Sequence, residues 1–86
     1  MQFDGAVVKE QGITFGIIIV KPFILQNTNE AQKMRNFGIR AFGAMPIILA
    51  SQNSGGRFTY NGRPDIVKFL AKISPTRIPW KHYTID

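Results

Sequence analysis

Hydrophobic residues occupy both alternating sets of positions between Ile13 and Lys21. Ile13, Phe15, Ile17 and Ile19 define one face of an extended segment, and Thr14, Gly16, Ile18 and Val20 define the other. A strand that is apolar on both sides belongs inside a layered sheet, covered above and below. Pro22 ends it. Pro46 to Gln52 repeats the pattern, with Ile48 and Ala50 set against Ile47 and Leu49. Phe3 to Glu10 is a weaker strand centred on Val7 and Val8, with a short helix begun by Asp4 as the competing reading. Gln11-Gly12 then suits a tight turn, because glycine tolerates positive φ.

Two segments switch to helical spacing. Asn27 can cap a helix, and Glu30 three residues later matches the reciprocal capping pattern. Ala31, Met34, Phe37 or Gly38, Ala41 and Phe42 then recur on one side, opposite Gln32, Lys33, Arg35, Asn36 and Arg40. Gly38 costs about 1 kcal/mol relative to alanine inside a helix. That favours an end near Phe37, with Gly43 closing the segment in either case. Asn53-Ser54-Gly55-Gly56 is a turn signal, and Arg57 to Tyr60 reads as a short strand returning in a hairpin. Asn61-Gly62 breaks it. Pro64 and Asp65 start a second helix, whose stripe is Ile66, Val67, Phe69, Leu70 and Ile73. Ser74-Pro75 stops this helix, and residues 75–86 form a tail packed on the body. The order is ββαββα, a single small α/β (α+β) domain over residues 1–86 with about four strands and two helices. Were both helices on one sheet face, the other would need cover, and a homodimer is the simplest source.

Met45-Pro46 opens the apolar strand Ile47-Ile48-Leu49. A glycine-bearing hairpin turn, a short strand ending at Gly62 and a closing helix with Phe69-Leu70 follow. This stretch, 45–73, resembles the C-terminal half of a thioredoxin-like domain, over about a third of the chain. The resemblance implies a partly thioredoxin-like sheet and a cis Met45–Pro46 bond. The family's paired active-site cysteines have no counterpart, which excludes thiol redox chemistry. The whole chain also resembles a type of short bacterial protein, and that likeness adds no mechanism.

Composition narrows the chemistry. There is no cysteine among the 86 residues, hence no disulfide and no thiolate zinc site. His82 is the single histidine, too few for a histidine metal cage. The five carboxylates leave no acid/base pair: Glu30 and Asp65 belong to helix starts, Asp86 is terminal, and Asp4 and Glu10 have no reason to share a site. Ser51, Ser54 and Ser74 lack a nucleophile context. Asn53-Ser54-Gly55-Gly56 follows a strand as a phosphate loop would, but a strand rather than a helix comes next. No cofactor and no metal are implied, and the chain reads as non-enzymatic.

Eleven Lys and Arg against five Asp and Glu give a net charge of +6. That makes an anionic partner plausible, whether nucleic acid, an acidic protein or a phosphorylated ligand. The charges are dispersed, with Arg35/Arg40, Arg57/Arg63 and Arg77/Lys81 the closest groups. Phe15 to Leu25, interrupted by Lys21 and Pro22, is too short to span a membrane and lacks a signal-peptide pattern, so the chain reads as cytoplasmic with no membrane partner. Arg57-Phe58-Thr59-Tyr60 alternates, so Phe58 and Tyr60 share one strand face, either packed under a helix or open to stack bases, while Arg57 and Thr59 take the other. Arg77, Trp80, Lys81 and Tyr83 repeat the mixture in the tail, where Trp80 either anchors the tail or meets a partner. Arg63, beside the Asn61–Asp65 turn and near Arg57, is a candidate anion contact that Asp65 opposes.

The leading expectation is a small basic binding module, self-associating through an uncovered sheet face or a free strand edge. The alternative is a nucleic-acid-binding protein that uses Arg57, Phe58, Tyr60, Arg63 and the 77–83 tail. A third is an enzyme or accessory subunit acting on an anionic small molecule at the Asn61–Asp65 turn.

Overall fold

The computed structural model describes residues 1–10 and 12–85. Gln11 and Asp86 lie outside the described residues. The elements are β1 (Gln2–Glu10), β2 (Ile13–Ile19), α1 (Pro22–Leu25), α2 (Thr28–Phe42), β3 (Ile47–Gln52), β4 (Phe58–Asn61), α3 (Pro64–Ala71), a 3-10 turn (Pro75–Arg77) and β5 (Lys81–Thr84). They build a small α+β domain around one mixed five-stranded sheet in the order β4-β3-β2-β1-β5.

β2 sits at the centre, as its two apolar faces require. It pairs antiparallel with β1 through the turn at Gly12, where φ is +80°, and parallel with β3, so that Ile17 lies opposite Ile48. A parallel pair needs a crossover, and α1 with α2 supplies it. β2 ends at Ile19, short of Lys21, and Pro22 opens α1, a short helix absent from the pattern reading. β3 and β4 form the expected hairpin, with Ala50 opposite Tyr60.

The helices take opposite faces. The α2 side buries Phe3, Ile18, Val20, Ala31, Phe37, Ile47 and Leu49. The α3 side buries Ala6, Phe15, Ile17, Ile48, Ala50, Ile66, Leu70 and Ile78. Ile17, Ile18, Ile48 and Leu49 are wholly excluded from solvent, and each such side chain contributes about 1.5–3 kcal/mol relative to exposure. The homodimer expected as cover for a bare sheet face therefore loses its premise, because each face has its own helix. The edges of β4 and β5 remain open.

Further expectations need correction. The first helix does not stop near Phe37; it runs to Phe42 and closes at Gly43, where φ is +101°. Gly38 is there for closeness: a Cβ would lie 2.8 Å from Ile18 Cδ1 and from Ile47 Cγ2, so α2 seats directly on the sheet. The reciprocal cap forms in one direction only. Asn27 Oδ1 accepts from the Glu30 amide at 3.1 Å, while the Asn27 amide donates to the Ile24 carbonyl and Glu30 turns to Lys33. The tail is more than packing, since β5 pairs antiparallel with β1 as a fifth strand. The sheet is thus five-stranded with three α-helices, in the order ββααββαβ. The Met45–Pro46 bond, cis by the thioredoxin-like resemblance, is trans. Among the described residues, no helix is long and apolar enough to cross a membrane.

Candidate functional site

The β3–β4 turn is fixed by Asn53. Its Oδ1 accepts from the Gly55 amide at 2.9 Å and the Arg57 amide at 3.0 Å, and its carbonyl accepts from Gly56. Those amides are therefore occupied, and the segment is a hairpin turn rather than a phosphate cradle. Strand alternation then sends Phe58 and Tyr60 to the α3 side and leaves Arg57 exposed.

Phe58 and Tyr60 are stacked with centroids 6.0 Å apart at 10°. Trp80 stacks on Phe58 at 5.5 Å and 14°, and its indole N–H donates to the Pro75 carbonyl at 2.9 Å. Phe58 is the shared member, so the three rings form one nearly parallel, half-buried series. Both readings of these rings have a part here, because they pack against the α3-side core yet also line open depressions. Trp80 anchors the tail through Phe58 and Pro75.

The larger depression, with a cavity volume of ≈ 580 Å³, lies between β4 and α3. Arg57, Phe58 and Tyr60 wall one side, Val67 and Ala71 the other, and Gly55 with Gly56 leave the rim low. A second depression of ≈ 460 Å³, reaching Gln52, Ile19 and Trp80, shares Gly56, Phe58 and Pro75 with it. The two make one track crossing Phe58. The Tyr60 hydroxyl is hidden from solvent and has no hydrogen-bond partner among the described residues. Burial raises its pKa above the ordinary tyrosine value.

Among the described residues, charge around the track is one-signed, and no acidic side chain lines either depression. The ion pairs among the described residues are Lys33–Glu30, Arg63–Asp65 and His82–Asp4, which leaves Arg57 and the exposed Lys68 and Lys72 of α3 without carboxylate partners there. The other basic residues are dispersed, with Lys33, Arg35 and Arg40 on α2 across the sheet.

Of the seven residues expected at a site, the fold unites Arg57, Phe58, Tyr60 and Trp80. Arg63 is turned away: Nε and a terminal nitrogen donate to the two Asp65 oxygens at 2.8 and 2.9 Å, and this pair holds the Asp65 pKa below the usual carboxylate value. The α3 start is thus already neutralised by its own side chain. Arg77 lines a separate hollow beside Glu10 and Phe69, and Lys81 sits on β5, the far edge strand. Sequence reasoning missed the apolar wall from Val67 to Pro75. It also missed the bonds from His82 to Asp4 at 2.8 Å and to Gln2 at 3.2 Å, which fasten β5 to β1. Their only signal lay in reading Lys81 to Thr84 as a strand. Among the described residues, no three His, Asp or Glu side chains gather as metal ligands would. Comparison with protein-family models, curated proteins and solved structures finds no match to this chain.

Proposed function

We propose that this chain is a small basic non-enzymatic binding module and that its ligand lies in the track between β4 and α3. The carrying observation is the parallel series Phe58, Tyr60 and Trp80 beside Arg57, in an open groove with no acidic lining. Apolar walls with a few placed polar groups are the usual make-up of a ligand site. Flat rings and a guanidinium select an anion that carries a planar apolar part. A cytoplasmic setting belongs to the same proposal and rests on the sequence alone.

Titration with 2-naphthalenesulfonate, followed by amide NMR, tests it. Saturable shifts at residues 55–60 and 67–73 and at the Trp80 indole are expected, weakened several-fold in Arg57→Ala. No saturable binding up to millimolar probe, or shifts centred on α2 or on the Arg63 turn, would reject the site.

Self-association is a second reading, supported by the open edges of β4 and β5. Each edge strand has only four residues, which limits what either can pair. A dimer mass by light scattering at micromolar concentration would support this reading, and a monomer throughout would remove it.

A further inference from the structure

We infer that the ligand of this track is single-stranded nucleic acid, its bases stacking on the ends of the aromatic series. This rests on the groove being the ligand site.

Three observations carry it. The site is a track rather than a closed pocket: two depressions meet across Phe58 and run from Ala71 to Gln52 and Trp80. An open-ended path suits a polymer that enters at one side and leaves at the other. Phe58 lies between its two neighbours, so the ring faces left for a ligand are at the ends of the series, on Tyr60 and Trp80. Aromatic faces set along a backbone path receive successive bases without regard to sequence. Duplex bases are stacked on each other and cannot offer those faces.

The cations come next. Arg57 borders the groove and Lys68 and Lys72 stand on the exposed side of α3. Arg57 at the groove and two lysines on the helix that forms its other wall give three positive charges to the parts flanking a path with no acidic lining among the described residues, the charge pattern that phosphates require.

Fluorescence anisotropy with labelled 12-mers of dT and rU, at 50 and 200 mM NaCl, tests the inference on the whole chain. Binding is expected for single strands and at least tenfold weaker for a duplex of equal length. Three neutralised phosphates give a log–log salt slope of about −2, or roughly a twentyfold loss between the two salts. Trp80→Leu, checked for folding by circular dichroism, should lose about tenfold. Tyr60→Phe keeps the ring and should bind every homopolymer as the parent does; a tenfold loss would overturn stacking as the role of this ring. Duplex binding as tight as single-strand binding would overturn base stacking. No binding of any strand at 50 mM NaCl, with 2-naphthalenesulfonate still shifting residues 55–60, would overturn the ligand class and leave the groove standing. Loss of both signals would bring down the groove as well.

Discussion

The sheet carries an aromatic group on each face, and the two are built differently. On the α2 side Phe3 meets Phe37 at 5.2 Å and 85° and Phe42 at 5.7 Å and 77°, while Phe42 meets Tyr83 at 5.1 Å and 80°. Only Phe3 and Tyr83 lie parallel. Edge-to-face contacts put the positive rim of one ring against the negative face of another, and this closes the group upon itself. Phe3 and Phe37 are 7% and 8% exposed. On the α3 side Phe58, Tyr60 and Trp80 run parallel, half-buried, with a cation beside them and no ring across their ends. One group has a helix laid over it. The other lies where α3 stops short and the low Gly55-Gly56 rim begins. Residue type is shared, so coverage is what separates a core from a surface that can receive a ligand.

Stability measurements break or sharpen that contrast. Phe3→Ala should cost about 3–5 kcal/mol by urea denaturation, the range for emptying a buried aromatic site. Phe58→Ala should cost less, about 1–2 kcal/mol, since part of its surface is already exposed. Equal losses would mean that Phe58 is a core residue and that the contrast is empty. Gly38→Val probes the same α2 side by overfilling. A Cβ there meets Ile18 and Ile47 at 2.8 Å, and added volume in a tight contact costs about 1–3 kcal/mol. An unchanged midpoint would show that α2 is free to lift, and that the α2-side group is less closed than its ring geometry implies.

This contrast also marks what the sequence made legible. The interior of the sheet was readable because Ile13 to Val20 and Pro46 to Ala50 are apolar on both alternations, a pattern with one physical solution. The facing of Phe58 and Tyr60 followed from strand alternation alone. Gly38 was misread because helix propensity is a local property, whereas its reason is the distance between α2 and the sheet, which only the fold sets. β5 escaped because Lys81 to Thr84 is a short polar edge strand held by pairing with β1 and by His82 to Asp4, 78 residues apart in the chain. The candidate site was half visible. Arg57, Phe58 and Tyr60 are neighbours in sequence, and Trp80 could be named but not placed. The wall from Val67 to Pro75 is ordinary helix sequence until the hairpin is set beside it. Arg63 looked available because a two-residue spacing to Asp65 does not reveal a two-bond pair.

The smallest expected effect is the most specific to the open group. Tyr60→Phe removes a hidden, unpartnered oxygen and keeps the ring. At neutral pH the variant should be more stable by about 1 kcal/mol, because an unsatisfied buried polar atom costs about 1–3 kcal/mol. The same oxygen gives a pH dependence whose sign is fixed. Burial favours the neutral phenol and raises the folded pKa above the ordinary value of 10.0. The resulting stability is fully present below pH 10.0 and is lost as pH climbs through the raised folded value. Urea midpoints measured from pH 8 upward should therefore fall in the parent, and the fall should be shallower in Tyr60→Phe. If the substitution destabilises instead, the hydroxyl has a partner within the chain and Tyr60 belongs with the closed aromatic group.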